Sequence, residues 1–530
     1  MTFFKKPKKL VQTKNAPENQ DSSHETNSQD SSQQTHSQES QPGGVQNLSL
    51  NEILTKVKEP FSATEDLLTH EIELPSDKSR IALLYIESIV DKQLVQSMIL
   101  NPLFVTDKEI NFNSFKQMAS IDLKKHTEMK QVQELLLQSN TLIFTDDTTC
   151  FYAMSTPVKT QRDITEPDNE TIIRGAHEGF IENLSMNLAL VRKRLKTPRL
   201  TVKYLQVGKE THTTIALLYV DNIANPEHVK EVEKRIKSIE ADAVYTPGNI
   251  EESIEDKPFS FFPQMLSTER PDRVAANLME GRVALVYDTS PTAHVMPVNF
   301  FSFYQSVDDY NKRWHIGSFF RFVRIMGFFI AMGLPAVYIA IVSFHFEVIP
   351  FGLILLIKSS LEDIPYPPLF EALLMELTIE LIREASIRLP TRIGSTIAIV
   401  GGLVIGDAVV KAGLVSNLMI IVVAITAIAA YIVPSNEMSA AVRILRFPFM
   451  VAAATLGFLG IVFGFLILIF HLCKLYTFGS PYFAPIAPLN LADLKDAFIR
   501  APFWKQNTRP KDVTAQKVDN ANHTRKWDKS

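Results

Sequence analysis

Cysteine is almost absent from this chain of 530 residues, which contains only Cys150 and Cys473. One lies in a predicted strand and the other at the end of an apolar run, so neither a disulfide framework nor a cysteine-based metal site is available. The sequence also contains no G-x-x-x-x-G-K-[ST], G-x-G-x-x-G, G-x-S-x-G or H-E-x-x-H motif. We therefore expect no enzymatic activity, no cofactor and no metal ion.

Long clusters of charge of one sign are missing as well. The formal net charge is −4, and the basic residues form no cluster longer than Lys5 to Lys9. Nucleic acid is therefore not an expected partner. Residues 1–47 are rich in Gln, Ser, Asn and Asp and predict a disordered tail. No apolar run follows the basic start, so we expect no signal peptide and a cytoplasmic N-terminus.

Hydrophobic residues are concentrated in the second half of the chain. Three apolar runs predict membrane helices: Ile325 to Phe344, Ala412 to Val433, and Phe447 to Phe470. Basic residues precede the first run and flank the last one on both sides: Lys312, Arg313, Arg321 and Arg324, then Arg443 and Arg446, then Lys474, Lys495, Arg500 and Lys505. By the positive-inside rule both ends of the chain are cytoplasmic. An even number of crossings follows, with the fourth expected within 367–406.

The polar half contains an internal duplication. RIALLYIESIVDK from Arg80 resembles TIALLYVDNIANP from Thr214, and each copy ends in two apolar runs around an Asp-containing turn, which indicates a hairpin. We predict an α+β multidomain fold, with two duplicated cytoplasmic α/β subdomains followed by an α-helical polytopic membrane domain. The predicted boundaries are 1–47 (tail), 48–157 (first subdomain), 158–199 (helical connector), 200–316 (second subdomain), 317–474 (membrane domain) and 475–530 (cytoplasmic tail, disordered from 506).

The most informative polar segment is Pro367 to Pro390. At 100° per residue, five charged side chains fall within an arc of roughly 140° on a helix. They are Glu376, Glu380, Arg383, Glu384 and Arg388. The helix either lies flat on the membrane with its charges in water, or stands in an assembled bundle with its carboxylates facing an ion path or another subunit. In the second case Arg383 and Arg388 would pair with part of the acidic charge.

Two further patterns concern helix packing. Asp407 and Lys411 are four residues apart, so they share a helix face, either as a buried ion pair or in a turn at the membrane surface. Two G-x-x-x-G patterns predict close helix–helix contacts, because glycine lets two backbones approach. They consist of Gly402 with Gly406 and Gly460 with Gly464.

Several long blocks resemble the A subunit of the GerA-type spore germinant receptors, in order and over about residues 60 to 505. They include RGAHEGFIENLSMNLALVRKRLKTPRL, DIPYPPLFEALLMELTIELIREASIRLP and GSTIAIVGGLVIGDAVVKAGLVSN. The resemblance implies a subunit in the inner membrane of the spore that works beside B and C subunits, with the nutrient bound mainly by B. It also implies contact with membrane lipid and a homo-oligomer that forms a nutrient-gated ion channel.

Within the first of these blocks, Arg174, Glu178 and Asn183 are candidates for a subdomain or subunit contact. An ordinary solvated helix face is the alternative. Two functions remain open for the chain as a whole. One is an ion-conducting or gating subunit, in which rings of Glu select cations. The other is a non-conducting signalling scaffold that couples a nutrient-binding partner to germination.

Overall fold

The computed structural model describes residues 49–61, 64–73, 80–104, 123–145, 150–158, 166–167, 169–362, 364–388, 406–520 and 527. The predicted tail 1–47 and Gly402 lie outside these ranges. The described part is an α+β fold, with two five-stranded sheets in the N-terminal part followed by a helical part. The α+β class and the order of two sheets before a helical part agree with the prediction from the sequence.

The first sheet has the strand order β1-β2-β4-β5-β3. Its strands are β1 Leu67–Glu73, β2 Arg80–Ile86, β3 Lys124–His126, β4 Asn140–Thr145 and β5 Phe151–Ser155. Its helices are α1 Leu50–Lys58, α2 Lys92–Val95, α3 Asn101–Phe104 and α4 Lys130–Leu137. Six of the seven residues of β2 are buried, as its apolar sequence predicts for a strand inside a sheet.

The second sheet repeats this order as β6-β7-β9-β10-β8. Its strands are β6 Leu200–Val207, β7 Thr213–Val220, β8 Leu266–Thr268, β9 Val283–Tyr287 and β10 Ala293–Met296. Helices α6 Pro226–Lys237, α7 Pro247–Ile254 and α8 Pro271–Glu280 accompany it. The duplicated sequence runs therefore occupy equivalent strands, β2 and β7, and the predicted hairpins are the antiparallel pairs β4–β5 and β9–β10.

The connector between the sheets contains a shorter helix than the sequence predicts. Helix α5 spans Leu184–Arg194, and Asn183 caps its start by accepting a hydrogen bond from the Met186 amide at 2.9 Å. Phe180 precedes this helix, in a segment without regular structure. Phe180 is buried because it packs against the core of the second sheet.

The helical part begins with α9 Val307–Asn311 and the 31-residue α10 Trp314–Phe344. It continues with α11 Phe351–Glu362, α12 Pro368–Arg388, α13 Asn417–Tyr431, α14 Asn436–Leu456 and α15 Phe458–Lys474. Among the described residues, α10 and α14 are long and apolar enough to cross a membrane, and α13 and α15 are apolar but shorter.

The predicted single span from Phe447 to Phe470 is wrong. The helix ends at Leu456, and Gly457 adopts φ +61° and ψ −139°, a backbone conformation that side-chain-bearing residues rarely adopt. The chain then reverses, so Phe449 of α14 and Phe465 of α15 pack edge to face with ring centroids 4.9 Å apart. The apolar run is therefore a tight hairpin of two helices.

The C-terminal segment was predicted to be disordered from residue 506, and this prediction is wrong for residues 506–520. After α15 come β11 Tyr476–Thr477, β12 Ser480–Pro481 and α16 Leu494–Ala497. Phe478, Tyr482 and Val513 are buried, and the guanidinium of Arg509 donates to the Met279 carbonyl at 2.6 Å. This segment, residues 476–520, packs on the second sheet and its helices through a few large side chains in an otherwise polar sequence.

The hydrophobic cores divide the molecule unevenly. One face of the second sheet shares a continuous core with the helical part, through Phe300, Phe301 and Phe328. The first sheet has a core of its own, which includes Leu83, Phe144 and Phe151. The second sheet and the helices are thus packed as one unit, and the first sheet forms a separate packing unit.

Candidate functional site

Carboxylates of α12 are buried inside the helical part. Glu376 is 0% exposed and forms a salt bridge with Arg446 of α14, whose guanidinium also donates to the Ala331 carbonyl of α10 at 2.7 Å. Three helices are therefore joined by one ion pair. Because one partner without the other would leave an uncompensated buried charge, the pair restrains α12 against α14.

A second ion pair lies one turn further along α12. Glu380 accepts from Arg443 at 2.7 Å, and both side chains are partly exposed. The sequence interpretation treated Arg443 and Arg446 as basic residues flanking a span, whereas the structure places both opposite the acidic face of α12. Arg443 and Arg446 are three residues apart, and Glu376 and Glu380 are four residues apart, so each pair lies on one face of its helix. These two spacings were the signal for the pairing that the sequence offered.

Glu371 is a second buried carboxylate of α12, and the sequence interpretation did not single it out. It accepts a hydrogen bond from the Ser416 amide at 2.6 Å and another from the Ser416 hydroxyl. That hydroxyl lies 3.1 Å from the Tyr338 hydroxyl of α10. Glu371 thus holds the start of α13 beside α10 and α12. Glu371 precedes Glu376 by five residues, which on a helix corresponds to a rotation of about 140°. Glu371 therefore lies outside the predicted charged arc.

The remaining charged residues of the predicted site are exposed, except for the half-buried Arg383. Glu384 pairs with Arg388 at 2.6 Å, and Asp407 pairs with Lys411 at 2.7 Å. Arg383 lies over the ring of Tyr431, 4.2 Å from its centroid, rather than beside a carboxylate. The predicted row of charges therefore divides into a buried half, held by α14, and an exposed half.

The predicted packing glycines have different surroundings. A Cβ at Gly460 would lie 2.0 Å from the Ala452 carbonyl oxygen, and one at Gly464 would lie 3.0 Å from the Phe449 ring. Both face α14 across the helical hairpin. A Cβ at Gly406 would meet none of the described residues within 4 Å.

Arg174, Glu178 and Asn183 lie apart from the helical part's ion pairs. Glu178 forms salt bridges with Lys193 at 2.6 Å and Arg194 at 2.8 Å, and the hydrogen bond from Lys193 lowers the pKa of its carboxyl. Asn183 caps α5, and the carbonyl of the exposed Arg174 accepts from the Asn311 amide group at 2.5 Å. These contacts order the connector and tie it to α9.

A buried salt bridge that the sequence interpretation missed joins the connector to the first sheet. Arg192 of α5 binds both carboxylate oxygens of Asp66 at 2.6 and 2.7 Å, and both side chains are at most 1% exposed. Ser88 donates to the same carboxylate at 2.8 Å. The two partners are 126 residues apart in sequence, so no local periodicity links them.

This architecture defines a class of protein, in which two sheets are joined to apolar helices that hold charged pairs. The family model described as Bacillus/Clostridium GerA spore germination protein matches residues 55–512. The chain is 38% identical over 474 residues to spore germination protein KA of Bacillus subtilis (strain 168), covering 88% of this chain and 87% of that protein. It is 37% identical over 468 residues to spore germination protein A1 of the same organism, covering 88% and 95%.

The chain therefore belongs to the GerA spore germination protein family, as the sequence blocks indicated. A crystal structure of the N-terminal domain of the A subunit of the Bacillus megaterium spore germinant receptor GerK3 is also similar. It is 28% identical, and the match covers 49% of this chain and 99% of that one with a TM-score of 0.38.

Proposed function

We propose that this chain is the membrane-embedded A subunit of a spore germinant receptor, with both sheets on the cytoplasmic side of the inner membrane of the spore. In this proposal it assembles with copies of itself and with B and C subunits, and the nutrient binds mainly to B. Family membership supports the germination role, and the apolar helices support the membrane location.

The arrangement of the helix ends supports both sheets lying on one side of the membrane. Arg321, near the start of α10, is fully buried between Asp309 and Asp496, with a distance of 2.9 Å to the latter. His471, at the end of α15, lies 2.9 Å from the Ser260 hydroxyl in the second sheet's subdomain. The start of α10 and the end of α15 thus both lie beside the sheet region, as an even number of crossings requires.

The observation that carries the functional proposal is the division of the charges along α12. Glu376 is locked to Arg446 within the chain, so it serves as structure rather than as lining of a path. Glu384 and Asp407 instead lie on the surface, each neutralised by a neighbour four residues later. In a homo-oligomer, a surface charge is repeated in each subunit as a ring, and a ring of carboxylates selects cations.

We therefore propose that Glu384, together with the pair Asp407–Lys411, faces the ion path or subunit interface of the assembled receptor, and that the chain conducts ions or gates their passage. The alternative is a non-conducting scaffold. In a scaffold these charges would lie on a surface in contact with water. Neutralising one of them would then change the free energy of unfolding by only about 0–1 kcal/mol.

Planar-bilayer recording separates these alternatives. The purified chain should be recorded alone and with its B and C partners, as wild type, Glu384→Gln and Glu240→Gln. Glu240 is an exposed carboxylate of the second sheet's subdomain and serves as the matched control. We expect nutrient-dependent current whose cation-over-anion permeability ratio falls for Glu384→Gln and not for Glu240→Gln. Equal ratios for all three would remove Glu384 from the ion path, and current that persists without this chain would establish the scaffold.

A further inference from the structure

A loop between α7 and β8 displays two aromatic side chains on the surface. Phe259 is 98% exposed and Phe261 is 55% exposed, and Pro258 beside them is also exposed. A phenylalanine buries about 150–250 Å² when it is covered, so two neighbouring exposed rings represent a large area of unfavourable contact with water. Such a pair is expected where another apolar surface covers it.

The loop is fixed in position by the end of α15. The Ser260 hydroxyl lies 2.9 Å from the Nε2 atom of His471. Phe262 packs beside the same imidazole, with ring centroids 6.0 Å apart, and its other side meets Phe300 and Tyr482 of the core. Phe262 is therefore held inside while its neighbours Phe261 and Phe259 point outward at a defined height along α15.

That height is the end of a continuous apolar surface. Ile467 and Phe470 of α15 are 70% and 68% exposed. At a rise of about 1.5 Å per residue, Ile467 is only about 6 Å along the helix axis from His471. Because Ser260 and Phe262 both contact His471, the neighbouring exposed rings of the loop lie beside the last turn of α15, next to its apolar outer surface.

We propose that Phe259 and Phe261 insert into the boundary between headgroups and acyl chains of the bilayer and anchor the second sheet to the membrane surface. Aromatic rings favour this boundary, and an inserted apolar group there reaches about 5–10 Å into it. The proposal rests on the membrane location proposed above. A lipid surface fits better than a protein partner because the loop lies beside the face of α15 that this location exposes to lipid.

Site-directed spin labelling tests the proposal in the assembled receptor, reconstituted in phosphatidylglycerol–phosphatidylethanolamine vesicles. In a Cys150→Ala, Cys473→Ser background, a nitroxide is placed at Phe259→Cys or, separately, Phe261→Cys. Glu210→Cys is the aqueous control, because it lies in the turn after β6, at the opposite sheet edge from β8. That separation is four strand spacings of about 4.8 Å each. Ile467→Cys is the lipid control.

Collision with oxygen, which concentrates in the hydrocarbon, and with a nickel chelate, which stays in water, distinguishes the outcomes. We expect the labels at 259 and 261 to gain oxygen collisions and lose nickel collisions relative to Glu210→Cys, in the direction of Ile467→Cys. High nickel accessibility at both loop positions, with Ile467→Cys in lipid, would overturn the anchor alone. Low accessibility to both reagents would instead assign the loop to a protein contact. Nickel access at Ile467→Cys as well would overturn the membrane location itself.

Discussion

The two sheets share one strand order but are attached to the rest of the molecule in different ways. The second sheet shares its core with the helical part and is covered further by residues 476–520. The first sheet has a separate core and meets the second through backbone pairing beside β6, where Glu65 donates to the Val202 carbonyl at 2.9 Å, and through the buried pair Asp66–Arg192. One copy of the duplicated fold is therefore continuous with the helices, while the other is joined by a small set of polar contacts.

This difference in attachment predicts that the two sheets respond differently to a displacement of the helices. A displacement of the helices acts on the second sheet through packed side chains, because packed interiors transmit strain. Among the residues that the structure describes, it reaches the first sheet by way of the connector and β6. We therefore expect the two sheets to respond separately to substitutions. The first two of the following experiments test that independence, with Cys150 as a reporter buried in the first sheet, and the third tests how the second sheet responds to pH.

The largest effect is expected when the buried pair is broken. Asp66→Ala leaves Arg192 buried without its carboxylate, which should destabilise the first sheet by about 3–5 kcal/mol. Each 1.4 kcal/mol is about a factor of ten, so labelling of Cys150 in a Cys473→Ser background should accelerate by at least about a hundredfold. Lys193→Ala removes only the largely exposed contact with Glu178 and should change the rate little. An unchanged rate for Asp66→Ala would mean that the pair does not hold the first sheet.

A smaller effect is expected in the helical hairpin. Gly460→Ala places a methyl group against the Ala452 carbonyl oxygen, so α14 and α15 must separate at a cost of about 1–3 kcal/mol. Gly464→Ala should cost less, because the Phe449 ring can shift, and Gly406→Ala should cost least, because a Cβ there meets none of the described residues within 4 Å. The midpoint of thermal unfolding in detergent measures this order. Faster labelling of Cys150 in Gly460→Ala would contradict the independence of the first sheet.

The most gradual effect, at most about 1.4 kcal/mol per pH unit, concerns pH at the junction of the second sheet with α14. Burial, then the charges of Glu437 and Glu255, raise the pKa of Glu251 to about 8, and burial lowers the pKa of the facing His294 to about 4. At 3.5 Å the two groups are not hydrogen bonded, and near pH 7 both are neutral because burial disfavours either charge.

Because the folded pKa of Glu251 lies above the unfolded value, folding retains a proton that the unfolded chain releases. Its contribution to stability is complete below about pH 4.3, declines by at most about 1.4 kcal/mol per pH unit, and is lost as pH rises through about 8. Thermal midpoints between pH 6 and 9 should therefore fall less steeply for Glu251→Gln than for wild type. Parallel curves would show that Glu251 does not sense pH in the folded chain.

Local patterns predicted the sheets because strand periodicity and the repeated run at Arg80 and Thr214 are local properties. The turn at Gly457 was missed because an apolar run that contains glycines looks alike as a single span or as a hairpin, and the positive φ of Gly457 is visible only in three dimensions. Arg443 and Arg446 were interpreted from their position beside an apolar run, because the pairing with carboxylates of α12 is visible only in the folded chain. The ordered C-terminal segment was missed because Phe478 and Val513 are isolated apolar residues whose burial depends on grooves formed elsewhere.

The packing of residues 476–520 on the second sheet has a consequence for biosynthesis. The ribosome makes this segment after α15, yet Val513 is fully buried and the Gln516 amide donates to the Ile223 carbonyl just before α6. The second sheet therefore cannot complete its folding when it first emerges and must wait until the helices have been synthesised. A chain that terminates early would expose the unfilled site of Val513, which gives proteases and chaperones a direct mark of an unfinished receptor subunit.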